Sequence, residues 1–519
     1  MIRYTCLRIF VLVMLLGSIA CTGSKKSATT DSTTNRQVEF IILQMNDVYE
    51  LSPQENGKVG GLARVATLRK QLLRETPHVL TVLAGDFLSP SLLGTLKLDG
   101  ERIKGRQMVE VMNALGLDLV AFGNHEFDLK EDELQKRINE SRFVWLSTNI
   151  QHKTDGKLEP FYKYQEGKRI QMPKGFTWNI RYDEEAEPLK VGFYSACIND
   201  NTPDYVHFDD PYQSAEEIYL HLYPKVDVLV GLTHLELVMD LKLASMLVKS
   251  ALIMGGHEHD NSIDTVGTVV VAKADANAKS VYVHRFKYDL DKKTYELNSS
   301  LVRITDEIAA DPEIDALVKK WERIMLEQIS QVVDNPSEVI YNAYVPLDGR
   351  EKSIRNRQTN LGQLIAASMA FAAKKPVDGA ILNSGSVRID DQLAGPITPV
   401  EIFRSLPYGG QLYEVEMTGK MLKRTLDAGW ENKGLGGFLQ WHNINRTEDG
   451  NWIVGGKAFD LNRNYRIVMG DYLWKGLEAG LEFLNTSNMI SWETAADGDE
   501  TDLRSDVRKA VVAYLKTLK

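Results

Sequence analysis

Cysteine is nearly absent from this chain: there are three in 519 residues, and two of them, Cys6 and Cys21, lie at the extreme N-terminus. A disulfide framework is therefore excluded. Cys197 ends the apolar run 191–197 and reads as a small buried hydrophobe. Long hydrophobic runs are missing too. Residues 9–16 form one, too short to span a bilayer, and nothing after it could cross a membrane. Positive charge is in deficit, 61 Lys and Arg against 71 Asp and Glu, which argues against a nucleic-acid binder, because phosphate backbones demand clustered cations. Histidine is scarce in the second half: only His442 follows residue 285. Imidazole-based metal chemistry therefore belongs to the first half. Internal repeats and coiled-coil heptads are absent.

What is present begins with a leader. Arg3 and Arg8 precede the apolar stretch, and Gly17-Ser18-Ile19-Ala20 leads into Cys21. That order predicts a signal peptide over 1–20, with Cys21 as the lipidated first residue of an exported bacterial lipoprotein, periplasm-facing or at the cell surface. A Ser/Thr/Lys-rich stretch then gives a flexible tether over 21–37.

The remaining chain is too long for one core. From 38 to 305, strand-like apolar runs alternate with helical spacing at 61–74, 105–115, 130–140 and 214–222, which predicts an α/β domain with both sheet faces covered. Amphipathic spacing over 311–333 predicts a connecting helix within 306–335. A second α/β domain follows over 336–519, with helices at 360–373 and 418–428 and strands at 379–382 and 465–469.

Five fragments of the first domain carry chemistry: Asn46-Asp47-Val48-Tyr49, Ala84-Gly85-Asp86, Gly123-Asn124-His125-Glu126-Phe127-Asp128, Thr233-His234 and Gly255-Gly256-His257-Glu258-His259. Most follow apolar runs and so fall just past strand ends, where open α/β sheets place their sites. Together they supply the donors of a two-metal phosphoesterase, whose ions neutralise phosphoryl oxygens and generate hydroxide at neutral pH. Asp86, flanked by small residues, is the natural bridging carboxylate. Asp47 and His259 would hold one ion, and Asn124, His234 and His257 the other. Two divalent ions and two carboxylates leave about +2, a match for a phosphate monoester dianion. His125 should face the substrate as acid or transition-state stabiliser, oriented by Asp128. The metals could be Mn, Zn, Co or Fe, since mixed N and O donors accept all of these. Tyr49 departs from the pattern, standing where a second histidine ligand of the Asp47 ion would be anticipated.

These motifs resemble the 5′-nucleotidase family of calcineurin-like metallophosphoesterases, which also contains UDP-sugar hydrolases and 2′,3′-cyclic-nucleotide phosphodiesterases. The resemblance implies a four-layer αββα catalytic domain, a C-terminal substrate-binding domain, and a cleft between them that opens by rotation about the connecting helix. Asn383-Ser384-Gly385-Ser386-Val387-Arg388 is similar to the family's Asn-Gly-Gly-Gly-x-Arg loop, and 355–362 to a segment presenting another arginine. By that resemblance Arg388, Arg357 and Arg355 clamp the substrate phosphate beside Asn383. Tyr408, in Leu406-Pro407-Tyr408, takes the place of a base-stacking ring, and Tyr472 that of the opposite ring. The family's Gly-Gly-Asp-Gly turn is replaced by 476–480, where Glu478 stands in for the lost aspartate.

A phenol with a pKa near about 10 is a poorer ligand than imidazole, so Tyr49 implies a more open Asp47 position that keeps three protein ligands. The sequence thus predicts an extracytoplasmic dinuclear-metal phosphohydrolase acting as a 5′-nucleotidase. The alternatives are a phosphoesterase acting on 2′,3′-cyclic nucleotides, UDP-sugars or sugar phosphates, and a non-catalytic surface protein that binds nucleotides.

Overall fold

The computed structural model describes residues 36–518. The predicted signal peptide, Cys21 and most of the tether lie outside the described residues.

Two six-stranded sheets form the centre of the first half. One runs in the order Thr294–Arg303, Ser280–Asp289, Gln37–Met45, Val79–Ala84, Leu119–Ala121, Val144–Leu146; the last four are parallel and the first two antiparallel. The other runs Gly175–Ile180, Leu189–Cys197, Val228–His234, Leu252–Gly255, Val269–Lys273, Ser262–Val266, with a parallel centre and antiparallel edges. Strand periodicity assigns the side chains to layers. Phe40 and Ile42 face the second sheet, meeting Phe193, Val230 and Leu252 between the two, while Ile41, Leu43 and Met45 point the other way into a helical layer. That layer holds Leu62–Glu75 and Arg106–Leu115; Pro211–Leu222 and Leu237–Met246 cover the far side of the second sheet through Leu222 and Leu243. The result is four layers, α, β, β, α. Strands covered on both faces read as continuous apolar runs, which is why the helices were more legible than the strand faces.

The connecting segment is the helix Pro312–Ser330, capped by Asp311, whose carboxylate accepts from Ile314 N, and started by proline, which needs no donor there. It is more than a spacer. Trp321 is fully buried in the first helical layer and its indole donates to Glu110 at 2.9 Å, while Ile329 packs with Leu92 and Phe403 across the junction of the two halves.

The second half is built on a five-stranded mixed sheet, ordered Leu439–His442, Gly379–Asn383, Asn464–Gly470, Leu412–Thr418, Ser491–Glu493. Ala380 and Leu382 face the helices Asn360–Ala372 and Val507–Thr517; Ile381 between them faces Leu422 and Leu426 of Gly419–Glu431. Threonine hydroxyls at 359 and 418 cap two of these helices. Cys197 lies buried in the first half. No helix among the described residues is long and apolar enough to cross a membrane.

Candidate metal centre

The carboxyl ends of the parallel strands in both first-half sheets converge, and the Gln44 side chain ties them by donating to Gly255 O and Ala272 O at 3.1 and 3.0 Å. Just beyond those ends the backbone turns sharply. Asp47, Asp86 and His257 all have positive φ, at 52°, 57° and 82°, conformations that side-chain-bearing residues adopt only when their surroundings over-determine them. The turns bring backbone and side chains unusually close. A Cβ on Gly123 would stand 2.1 Å from Asp86 Oδ1, and one on Gly256 would stand 2.3 Å from Ala84 O and 3.0 Å from Asp47 Oδ2.

Inside this cradle lie Asp47, Asp86 and His234, all buried, with one donor atom of each within 4.8 Å of the others. The His234 Nδ1 donates to Ala84 O at 2.8 Å, which leaves Nε2 facing Asp86 Oδ2 at 3.2 Å and Asn124 Oδ1 at 3.1 Å. Carbonyl anchoring of one imidazole nitrogen frees the other for a metal. In the metal-free protein burial opposes charge on His234, yet Asp86 and Asp47 outweigh it and push the imidazole up to about 9. A buried pocket that holds a proton against desolvation is one in which cationic charge is wanted. The donor set and the glycine cradle therefore fit divalent metal. His257 lies beside this group, with its ring 5.4 Å from that of His234, and burial with the neighbouring His234 lowers its pKa, favouring the neutral form that ligation would require.

On the opposite side Tyr49 occupies the ring of donors. Its hydroxyl lies 3.1 Å from Asp86 Oδ2, 3.3 Å from Asp47 Oδ1 and 3.2 Å from His259 Nε2. Burial, then the charges of Asp86 and Asp47, raise its pKa well above the ordinary value, so it is a neutral phenol. His259 Nε2 is 3.5 Å from Asp47 Oδ1, and its Nδ1 donates to Asp390, a residue of the second half.

His125 and Asp128 sit on the 3-10 turn Asn124–Asp128, with His125 Nδ1 2.9 Å from Asp128 Oδ2. Burial disfavours a charged imidazole, but Asp86 and Asp128 hold its pKa above the usual value. Asp128 is further fixed by Ser89 Oγ and Asn201 Nδ2, both at 2.9 Å, and faces Arg388 Nη2 at 3.9 Å. Glu126, one residue past His125, accepts four backbone hydrogen bonds, from Asp86, Phe87 and Leu88 N and from Gly123 N. It thereby holds the Asp86 turn against the Asn124 turn. Neither Glu126, Asn201 nor Asp390 stood out in the sequence. Glu126 and Asp390 had a signal, the first inside the fragment 123–128 and the second two positions beyond Arg388.

The second half offers a cavity of about 550 Å³ whose lining includes Arg355, Asn383, Arg388, Tyr408, Tyr472 and Glu478. Arg388 also lines a small crevice with Tyr49, so this arginine spans from the donor cluster to the cavity. Asn383 Nδ2 donates to Glu478 at 2.7 Å, fixing one wall. Tyr408 and Tyr472 are about half exposed. Arg357 is not brought in: it is largely exposed and its Nη2 pairs with Asp348 Oδ2 at 3.2 Å.

Residues 339–484 match the 5′-nucleotidase C-terminal domain. The chain is 27% identical over 431 residues to a trifunctional nucleotide phosphoesterase of Bacillus subtilis, covering 74% of this chain but 28% of that protein. It is also 27% identical over 476 residues to the 5′-nucleotidase of Bos taurus, covering 83% of this chain and 77% of that one. The crystal structure of a 5′-nucleotidase precursor from Thermus thermophilus superposes with a TM-score of 0.67 at 24% identity, over 93% of this chain and 97% of that one, and so shares the fold.

Proposed function

We propose that the chain is a member of the 5′-nucleotidase family, on its matched C-terminal domain and its curated relatives, and that it is an extracytoplasmic 5′-nucleotidase, releasing phosphate and nucleoside from nucleoside monophosphates. The broader activity, metal-dependent hydrolysis of phosphoric esters, is that of the family.

Asp47, Asp86 and His259 would hold one divalent ion and Asp86, Asn124, His234 and His257 the other. Once bound, the two ions supply charge neutralisation and a nucleophile at neutral pH. His125, its Nδ1 held 2.9 Å from Asp128 Oδ2, is placed to deliver a proton to the ester oxygen that departs. Asp128 keeps the imidazole oriented toward that oxygen. Arg388, with Arg355, binds phosphoryl oxygens through its planar fork. Tyr408 and Tyr472 flank the base, and Glu478 with Asn383 forms the polar wall between them. The N-terminal segment supports an exported lipoprotein anchored to membrane through Cys21.

The observation that carries this reading is Arg388, which lines the cavity of the second half and lies 3.9 Å from the Asp128 partner of His125. A second reading rests on the replaced turn at 476–480: with Leu477 57% exposed beside Glu478, the cavity could admit 2′,3′-cyclic nucleotides, UDP-sugars or sugar phosphates. The Tyr49 hydroxyl among the donors is the observation on the side of a nucleotide binder without catalysis. The test is phosphate release from a panel of these compounds with Mn²⁺, Zn²⁺ or Co²⁺, repeated in chelator. Turnover of nucleoside monophosphates that chelator abolishes is expected. Turnover confined to the other esters leaves the second reading, and nucleotide binding without any turnover leaves the third.

A further inference from the structure

The loop after Arg388 reaches into the first half at three points. Arg388 faces Asp128, Asp390 accepts from His259 Nδ1, and Asp391 pairs with Lys279. Asp390 is the unusual member. Its φ is 40°, a left-handed conformation costly for aspartate, and its other carboxylate oxygen is fixed by Glu351 N. The side chain is thus held from behind and presented to one imidazole. The opposite nitrogen of that imidazole, Nε2, faces Asp47 Oδ1 at 3.5 Å and the Tyr49 hydroxyl at 3.2 Å.

We propose that Asp390 is a positioning residue for the metal site, and that the Asp47 metal position is completed across the junction between the halves. The inference rests on the phosphohydrolase reading above. A carboxylate on one imidazole nitrogen fixes the ring, selects the tautomer whose other nitrogen is free to ligate, and raises its basicity. With Tyr49 in place of a second histidine, His259 is the sole imidazole on this side, so its orientation matters more here than at His234, which is anchored by the carbonyl of Ala84 within its own half. Metal binding at the Asp47 position and seating of the second half on the first then support each other, since coupling between two equilibria is reciprocal.

The test is a Mn²⁺ titration of the full chain after chelator treatment, read by calorimetry and bound-metal analysis. Wild type should bind two ions. Asp390→Ala should weaken one position by about 10- to 100-fold, the scale of such outer partners, and leave the other unchanged as an internal control on folding. Asp390→Asn keeps the side-chain volume and one acceptor and serves where the alanine variant does not fold; it should weaken the same position several-fold. Asp391→Ala, which breaks the neighbouring contact to Lys279, should leave both positions unchanged. Wild-type affinity at both positions in Asp390→Ala or Asp390→Asn overturns the proposal. Equal weakening in Asp391→Ala does so too, because the loop would then act only as a clamp. Wild-type protein that bound no Mn²⁺ would instead overturn the phosphohydrolase reading beneath it.

Discussion

The hydroxyl of Tyr49 stands 3.1 Å from Oδ2 of Asp86, the carboxylate proposed to bridge two ions. A neutral phenol there donates to a carboxylate oxygen that an ion would otherwise claim, so entry of metal on the Asp47 side must displace a hydrogen bond. Tyr49→His replaces that donor with a ligand and should tighten metal binding at this position by about tenfold or more, the scale of single contacts at metal sites. Competition with a graded chelator measures it. Unchanged affinity in Tyr49→His would place residue 49 outside the metal's reach.

Proton release should accompany metal uptake. In the metal-free protein His234 titrates at about 9, above the 6.5 of the unfolded chain, because Asp86 and Asp47 outweigh burial. It is therefore largely protonated at pH 7.5 and must become neutral to ligate. Apparent affinity should rise with pH up to about 9 and then level off. The same shift has a stability consequence of defined sign. The raised pKa stabilises the metal-free fold below pH 6.5, and that contribution is lost as pH rises through about 9. Melting temperatures of the metal-free protein should fall over this window, and those of the metal-loaded protein should not.

His125 and Asp86 separate chemistry from metal binding. His125→Ala removes the proposed general acid and should lower kcat by about 10²- to 10⁴-fold with the metal content intact. Asp86→Ala removes the carboxylate proposed to be shared by both positions and should lose metal. Metal analysis beside turnover measurements decides it, and two retained ions in Asp86→Ala would remove the bridging role.

How much of this was legible follows from where each contact's partners lie in the chain. Asp47, Asp86, Asn124, His234 and His257 each come just after an apolar run, so strand ends announced them. Tyr408, Tyr472 and Glu478 were reachable only through resemblance, yet they line one cavity with Arg388 and Arg355. Arg357 shows the limit of motif reading: helical geometry over Glu351–Ile354 and its sequel turns it toward Asp348. Glu126 was hidden because its partners are backbone N–H groups about forty residues earlier, at 86–88. Backbone donors leave no trace in residue identity. Asp390 was hidden because its partner belongs to the other half of the chain.

Arg357 and Arg388 should accordingly differ. Loss of a buried charge-assisted contact costs about 1.5 to 3 kcal/mol, so Arg388→Ala should lower kcat/KM by about 10- to 100-fold. Arg357→Ala, at a largely exposed side chain already paired with Asp348, should change it less than about threefold. Steady-state kinetics on one nucleoside monophosphate compares them. Equal losses would mean that Arg357 leaves Asp348 for the substrate.

Glu126 offers a prediction about folding rather than turnover. Its carboxylate is fully buried and accepts from four backbone N–H groups that bind the Asp86 turn to the Asn124 turn. Glu126→Ala strands those donors without water. Each unsatisfied group costs on the order of 1 kcal/mol or more, so the variant should lose roughly 3 kcal/mol at least. Glu126→Gln keeps one acceptor oxygen but aims an amide at the other donors, and should fall between. Denaturant unfolding of the metal-free proteins gives the ranking directly. Because the turns that Glu126 joins present Asp86 and Asn124, metal affinity should decline in the same order. A stability loss without any change in metal affinity would show that the two turns keep their places without it.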